Sequence, residues 1–329
     1  MDTRRIIKLI AVICCLLIIT ASLILGFRLV EKLINKSGSM SPNEAFSYSD
    51  SDGEIEYNGS VFLPKNKIET FLVLGIDRTE EEGADRAESQ QSDFVVLVVM
   101  DNENKIFRLL HINRDTMTAI RQIDESGKEY GTFEGQLALA HTFGKQEMDR
   151  CRNTVKVIEN LLYGIEIDNY LSMTMDAVAA LNDSVGGVTL SLLDDFSAYY
   201  PGFTKNATVT LMGDQALAYV RERGALEDSS NLSRMERQKQ YLTALFEQFN
   251  KVDEGFDLYS TLLEVEQHIY YGCSEDHLSD IAERFGSYEY GGALSLEGEA
   301  VVGDEFMEYY IDEEAARATV IDLFYDPKG

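Results

Sequence analysis

The chain of 329 residues is 45% hydrophobic and 10% aromatic, a composition that suits a globular protein and excludes a disordered tail. It carries 57 acidic and 29 basic side chains, a formal net charge of −28, and so lacks the basic surface that a nucleic acid partner requires. This net charge still allows a local basic pocket that binds one small anion.

The N-terminal segment predicts a membrane anchor. Residues 6–27 are apolar except for Lys8 and long enough to cross a bilayer. The alternative, a cleaved signal peptide, has a shorter apolar core and a small-residue cleavage site, which is not evident here. Because basic residues flank both sides, we orient the N-terminus inside mainly from the functional argument below. Residues 1–34 are therefore expected to be a cytoplasmic stub and a single transmembrane helix.

The composition changes after the anchor. Residues 35–66 are rich in Ser, Asp, Glu, Asn and Gly and are predicted to form a flexible spacer. The folded domain is then expected to span residues 67–329. In this domain Cys151 and Cys273 could form one disulfide, but nothing in their spacing demands it, and two ordinary core thiols are the favoured interpretation. No metal-binding C-x-x-C pattern is present.

Three short apolar runs predict neighbouring strands, at residues 70–75, 94–100 and 106–112. The turn DNENK joins the second run to the third, so these two should form a hairpin. In a hairpin Asp93 and Arg114 lie at the same end of the sheet, and Asp77 joins them if the first strand is antiparallel to the second. Two carboxylates and an arginine are thus expected at one sheet edge.

The rest of the chain alternates between the two element types, which predicts an α/β domain with a mixed central sheet covered by helices. The predicted helices are residues 145–163, 175–181, 213–220, 232–249 and 313–325, and the predicted strands are residues 168–173 and 300–302. Residues 251–329 contain four basic and twenty acidic side chains, and we expect most of this charge to lie on a solvated face of the same domain.

Four arginines surround an acidic, serine-rich loop: Arg221 and Arg223 precede it, and Arg234 and Arg237 follow it. Ser233 and Glu236 have the spacing of a capping box, which places the second pair in the first turn of a helix. Cations oppose the helix dipole there, and a bound anion would remove this conflict. The alternative is that the arginines only neutralise nearby carboxylates.

Six motifs in order resemble the LytR-CpsA-Psr family of cell-wall glycopolymer ligases. They are FLVLGID, QQSDFVVLVV, HINRDTM, NDSVGGV, MGDQALAYVRER and SRMERQ, and the resemblance covers residues 69–325. It implies an α/β/α sandwich held outside the cell membrane by a single-pass anchor. It also implies transfer of a glycopolymer from a polyprenyl-pyrophosphate carrier to a peptidoglycan hydroxyl, with Mg²⁺ as cofactor.

The resemblance also implies roles for particular residues. Asp77 and Asp93 would bind Mg²⁺, and Asp93 is also the candidate base for the acceptor hydroxyl. The residues implied to bind pyrophosphate are Arg114, Arg221, Arg223, Arg234, Arg237 and Gln238. Catalysis is assigned to Asp93, Arg114 and Arg221. The lipid is expected in an apolar slot between the sheet and the helices at residues 145–163 and 232–249.

The chain departs from the family pattern at three places. Gln90-Gln91 replaces the common Gly-Arg, His111-Ile112-Asn113 replaces Ser-Ile-Pro, and Asn231 stands where an aspartate is frequent. These departures keep two alternatives open: a non-catalytic protein that binds or senses lipid pyrophosphate, and a pyrophosphatase that uses water as acceptor. His111 interrupts an apolar strand and is predicted to be a core histidine and not a catalyst.

Overall fold

The structure, a computed structural model, describes residues 47–48, 53–77, 90–249 and 258–328. The predicted membrane anchor at residues 6–27 lies outside these ranges. No helix within the described ranges is both long enough and apolar enough to cross a membrane.

The strands and helices of the described ranges follow in chain order. The strands are β1 (Ser47–Tyr48), β2 (Ile55–Tyr57), β3 (Ser60–Pro64), β4 (Ile68–Ile76), β5 (Ser92–Asp101), β6 (Ile106–His111), β7 (Met117–Ile123), β8 (Glu129–Gln136), β9 (Asn169–Thr174), β10 (Val188–Ser191), β11 (Thr208–Leu211), β12 (Ile269–Tyr271), β13 (Glu289–Ser295), β14 (Gly298–Val302), β15 (Met307–Ile311) and β16 (Tyr325–Pro327). The α-helices are α1 (Glu147–Leu161), α2 (Asp176–Ser184), α3 (Asp214–Arg221), α4 (Asn231–Phe249), α5 (Leu258–Glu264), α6 (Glu275–Ser287) and α7 (Glu313–Phe324).

A six-stranded mixed sheet forms the centre of the fold, with the order β12-β9-β4-β5-β6-β13. β4, β5 and β6 are antiparallel neighbours, whereas β9 runs parallel to β4 and β13 runs parallel to β6. The predicted hairpin is therefore confirmed. The pairing of β13 with β6 also places part of the acidic C-terminal segment in the central sheet.

The two faces of this sheet carry different helices, because successive side chains of a strand point to opposite sides. Leu72 and Leu97 face one core, which contains residues of α1 and α7. Phe71 and Val98 face a second core, which contains residues of α4, α5 and α6. The predicted α/β architecture, a mixed sheet covered by helices, is confirmed and has three layers.

Part of the predicted spacer is folded. β2 and β3 pair with each other, and β3 also pairs with the C-terminal strand β16. Asn58 and Gly59 connect β2 to β3 with positive φ angles of 51° and 76°, as a tight hairpin turn requires. Ile55 is fully buried in the core beneath α1 and α7. The domain boundary predicted at residue 67 is therefore too late, because β2 and β3 already belong to a sheet that includes the C-terminal strand.

Candidate active site

A β-bulge places Asp93 at one edge of the central sheet. Gly75 pairs with Phe94 and Ile76 pairs with Ser92, so Asp93 is the extra residue that has no partner on β4. A Cβ on Gly75 would lie 2.8 Å from the Cβ of Phe94, so glycine permits this close approach. Asp77 follows β4 directly, and its N–H donates to the carbonyl of Gln91 at 3.2 Å. Both aspartates therefore lie at the predicted sheet edge.

Asp93 lies between two guanidinium groups. Arg114 donates to its Oδ1, and Nη1 of Arg234 donates to its Oδ2 at 2.8 Å. All three side chains are largely buried, with exposed fractions of 9% for Asp93, 14% for Arg114 and 3% for Arg234. Protonation of Asp93 would weaken both ion pairs, because a neutral carboxyl group attracts a guanidinium less strongly than a carboxylate does. Asp93 holds both arginines in position in this structure, and its role as base stays a prediction.

Two further arginines line the open side of this group. Nη2 of Arg221, at the end of α3, donates to Oδ1 of Asp77 at 2.9 Å, and both side chains are about one-third exposed. Arg223 follows on the loop and has no ion-pair partner within the described ranges. Desolvation and the nearby charge of Arg234 lower the pKa of the Arg223 guanidinium. This excess of positive charge would be relieved by an anion.

We call these six residues the arginine–aspartate cluster: Asp77, Asp93, Arg114, Arg221, Arg223 and Arg234. Asp77, Asp93, Arg221, Arg223 and Arg234 line a cleft of about 540 Å³ that is open to solvent. Arg114 completes the group from behind, where its Nη2 donates to Oε1 of Gln91 at 2.5 Å. Gln91 stands where the family commonly has an arginine. Its uncharged side chain holds Arg114 in position and supplies no positive charge of its own.

Arg237 does not reach the cleft, contrary to the prediction that it contacts pyrophosphate. Its side chain is 0% exposed, and its Nε lies 3.2 Å from Oδ2 of Asp194. Its two terminal nitrogens donate to the carbonyls of Tyr219 and Glu222, and Nε2 of Gln238 donates to the carbonyl of Val220 at 3.0 Å. These carbonyls belong to the C-terminal end of α3, where intrahelical donors run out. Arg237 and Gln238 therefore cap the helix that carries Arg221.

The start of α4 also differs from the prediction. The helix begins at Asn231, and the N–H of Ser233 donates to Oγ of Ser230 at 3.1 Å. Oγ of Ser233 instead donates to Oδ2 of Asp194 at 3.2 Å. The predicted capping box of Ser233 and Glu236 is therefore wrong, because the helix starts earlier and the hydroxyl of Ser230, three positions before Ser233, accepts from a free N–H of its first turn. Arg234 remains in the first turn, and Arg237 lies in the second.

Two of the departures from the family pattern contact each other. Nδ2 of Asn231 donates to Oδ1 of Asn113 at 2.7 Å, and both side chains are buried. Oδ1 of Asn231 accepts from Nε and Nη2 of Arg234 at 3.1 and 2.7 Å. The asparagine pair thus connects the end of β6 to the helix that carries Arg234. Sequence separation conceals this contact, since the two residues are 118 positions apart.

An apolar cavity of about 150 Å³ ends at the cluster. Its charged end contains Asp93, Arg221 and Arg234, and its apolar wall is formed by Val73, Phe94, Met173, Val178, Leu181, Val220, Leu242 and Leu245. A second apolar cavity of about 170 Å³ shares Phe94, Leu181 and Leu242 with it and extends toward α5 and α6. Helix α4 lines both cavities, as expected. Helix α1 does not, because it packs on the opposite face of the sheet.

His111 and the cysteines agree with their predicted positions. His111 is 2% exposed and packs against Phe94, and burial lowers its pKa to about 3, so it is a neutral core residue. Cys151 and Cys273 are free thiols; Cys151 is buried, and Cys273 is partly buried against the second core. Asp194, which the sequence did not single out, is the buried partner of Arg237. The one signal for Asp194 is general: a buried guanidinium such as that of Arg237 requires a carboxylate partner.

Comparison with known proteins identifies a family, relatives and a solved structure that this chain resembles. The model of the LytR_cpsA_psr family matches residues 31–319 of the chain. Polyisoprenyl-teichoic acid–peptidoglycan teichoic acid transferase TagU of Halalkalibacterium halodurans is 31% identical over 54% of this chain. The match spans about half of that relative, 52% of its length. The corresponding transferase TagV of Bacillus subtilis is 26% identical over 95% of this chain and 76% of its own length.

A solved structure has the same fold. TagT bound to LI-WTA superposes with a TM-score of 0.58 at 21% identity, covering 78% of this chain and 90% of that one.

Proposed function

The chain belongs to the LytR-CpsA-Psr family, and on that premise we propose that it transfers a glycopolymer from a polyprenyl-pyrophosphate carrier to a peptidoglycan hydroxyl. In this proposal residues 6–27 anchor the protein in the cell membrane and the domain lies outside the cell, where peptidoglycan is found. The relatives named as teichoic acid transferases support attachment of a wall polymer as the reaction. The names of these relatives give a polyisoprenyl-teichoic acid as the donor, which supports a lipid-linked donor of this kind.

The observation that carries the proposal is the junction of the apolar cavity with the arginine–aspartate cluster. A polyprenyl pyrophosphate is a long apolar chain that ends in a compact, strongly negative group. The cavity offers an almost entirely apolar wall for the chain, and Arg221 and Arg234 stand at the point where it opens into the charged cleft. Guanidinium groups bind phosphate oxygens in pairs, so the two halves of the site match the two halves of this carrier.

The reaction exchanges one P–O bond for another. The peptidoglycan hydroxyl attacks the phosphorus that bears the glycopolymer, a new P–O bond forms, and the bond to the carrier phosphate breaks. Polyprenyl phosphate leaves with the bonding electron pair, and the hydroxyl proton passes to solvent or to a base that we leave unassigned. In such reactions positioning and charge stabilisation supply most of the rate enhancement.

The cluster residues would divide this work. Arg221 and Arg223, on the open side, would bind the oxygens of the carrier phosphate and stabilise the charge that grows on it. Arg234 is held by Asp93 and Asn231, and this fixed network would orient it toward the transferred phosphoryl group. Arg114, behind the cleft, is held by Asp93 and Gln91 and would keep the Asp93 carboxylate in place. A phosphate would compete with Asp77 for Arg221, since their ion pair is partly exposed.

Asp77 and Asp93 fit the ligand preference of Mg²⁺, which binds carboxylate oxygens. They are only two residues, and Asp93 already accepts from two arginines, so pyrophosphate oxygens and water would have to complete the coordination. When bound there, Mg²⁺ would supply charge neutralisation between the two phosphates.

A transfer assay tests the proposal and separates it from the two alternatives. The full chain is incubated with a polyprenyl-pyrophosphate oligosaccharide, Mg²⁺ and peptidoglycan fragments, and polyprenyl phosphate release and glycan attachment are followed separately. We expect attachment that requires Mg²⁺ and is lost in Arg221→Ala. Arg121→Ala is the matched control, because Arg121 pairs with Glu129 on the β7–β8 hairpin and not in the cleft. Release without attachment would indicate a pyrophosphatase, and tight binding without release would indicate a carrier-binding protein.

A further inference from the structure

A second cluster of reactive side chains lies outside the arginine–aspartate cluster. Nε2 of His141, Oε1 of Glu147 and Sγ of Cys151 all lie within 4.8 Å of one another. Nε2 is 3.1 Å from Oε1 and 3.7 Å from Sγ, and Sγ is 4.0 Å from Oε1. The side chains of His141 and Cys151 are fully buried, whereas that of Glu147 is 22% exposed. The catalytic proposal above makes no use of these three residues.

The fold brings the three together from neighbouring elements. Glu147 is the first residue of α1, and Cys151 follows one turn later on the same helix face. His141 belongs to a short 3₁₀ helix, Leu137–Thr142, which is the last element before α1. Ser172 of β9 adds a fourth polar group, because its Oγ donates to Oε1 of Glu147 at 2.8 Å.

The orientation of the imidazole points to a cation. Nδ1 of His141 lies 2.8 Å from the backbone carbonyl of Gln90, which can only accept a hydrogen bond, so Nδ1 carries the hydrogen. In the neutral ring Nε2 then has a lone pair, and this lone pair faces the carboxylate oxygen of Glu147 and the sulfur of Cys151. A hydrogen bond from Nδ1 to a backbone carbonyl is also the arrangement that orients histidine ligands in metal sites.

We propose that His141, Glu147 and Cys151 bind one Zn²⁺. Zinc takes nitrogen, sulfur and carboxylate ligands at ~2.0–2.3 Å in a tetrahedron, which places ligand atoms roughly 3.3–3.6 Å apart. The three separations of 3.1, 3.7 and 4.0 Å bracket this range, so small side-chain shifts suffice. The hydroxyl of Ser172 or a water molecule would complete the four ligands.

The neighbouring charges are compatible with this site. Nη1 of Arg150 lies 3.6 Å from Oε2 of Glu147, the oxygen that is not directed at the other two ligands. The same guanidinium nitrogen donates to Oε1 of Gln90 at 2.8 Å. Arg150 therefore holds the carboxylate in place from outside, and the ligand oxygen Oε1 remains on the side of His141 and Cys151.

The bound zinc would act as a structural clamp beneath the active site. Through Nδ1 of His141 it would fix the backbone of Gln90, which stands directly before Gln91, the residue that accepts from Arg114. It would also connect the 3₁₀ helix and α1 on one face of the sheet with β9. The metal is thus proposed to hold the entry of β5, where Asp93 lies, and to take no part in the transfer itself.

The test uses the full chain purified in detergent, stripped with a chelator and then dialysed against Zn²⁺ or Co²⁺. We expect about one Zn²⁺ per chain by elemental analysis, and a Co²⁺ form with the intense visible bands of tetrahedral coordination and a thiolate charge-transfer band. Cys273→Ser is the matched control and should retain both signals, whereas Cys151→Ser should lose the charge-transfer band. Glu147→Gln, at the partly exposed ligand, provides a second variant if Cys151→Ser does not fold, and should weaken zinc binding at least tenfold.

Wild-type protein that takes up no stoichiometric zinc would overturn the proposal. It would also be overturned by a cobalt spectrum without a thiolate band, or by equal zinc affinity of wild type and Glu147→Gln. These readouts do not depend on transferase activity, so this inference and the proposed function can fail separately.

Discussion

Replacing Arg237 with methionine tests whether this residue braces the site or binds the substrate. The substitution keeps a long, flexible side chain but removes the charge that faces Asp194 and the donors to the carbonyls of Tyr219 and Glu222. It also removes the contact of the guanidinium with the ring of Phe196, 5.3 Å from the ring centroid. Breaking a buried ion pair in this way costs about 3–5 kcal/mol, a large part of the ~5–15 kcal/mol that stabilises a typical domain.

The assay is urea unfolding followed by circular dichroism, with Arg223→Ala as the comparison. Arg223 is exposed and has no ion-pair partner in the described ranges, so its removal should change the free energy of unfolding by less than ~0.5 kcal/mol while weakening donor binding. Arg237→Met should show the opposite pattern: a large loss of stability, with activity lost only in proportion to the unfolded fraction and no selective loss of donor affinity. Arg237→Met with wild-type stability and a selective loss of donor affinity would refute the reasoning.

Three further predictions concern the core, the asparagine pair and the cavity. Burial lowers the pKa of His111 from 6.5 to about 3, so below pH 6.5 the unfolded chain binds a proton that the folded chain does not; this group should remove about 2 kcal/mol of stability between pH 7 and 5. His111→Phe should flatten the pH dependence of unfolding, and an unchanged slope would contradict this. Alanine substitutions at Asn113 and Asn231 should be non-additive by about 1 kcal/mol in a double-mutant cycle, because the two side chains bond directly; additivity would exclude the coupling. Leu242→Trp should fill the apolar cavity and reduce affinity for a long polyprenyl pyrophosphate far more than for inorganic pyrophosphate; equal effects in titration calorimetry would place the lipid elsewhere.

The sheet edge was predictable from the sequence because strand geometry is local and periodic. Two apolar runs joined by a short polar turn determine a hairpin, and a hairpin places Asp93 beside Arg114 without knowledge of the rest of the fold. The Asn58-Gly59 pair was an equally local signal for a hairpin. The prediction of a spacer over residues 35–66 rests on polar composition alone and takes no account of this pair, so it places the domain start too late.

Which arginine faces the cleft and which is buried was not predictable, because this depends on contacts between distant parts of the chain. Arg234 and Arg237 lie three positions apart on α4, and this spacing places them on neighbouring rows of the helix surface. One row faces Asp93 at the sheet edge and the other faces the end of α3, whose carbonyls need donors. The sequence shows neither the orientation of α4 nor the partner Asp194, which lies 43 positions before Arg237.

The central claim is that a polyprenyl pyrophosphate binds with its phosphates in the arginine–aspartate cluster and its chain in the adjoining apolar cavity. A crystal structure of the protein with a polyprenyl-pyrophosphate analogue and Mg²⁺ tests it most directly. We predict density for the two phosphates between Arg221, Arg223 and Arg234, and for the lipid chain between α4 and the sheet, beside Leu242. Phosphates bound away from these arginines, or a lipid chain on the α1 face of the sheet, would contradict the account.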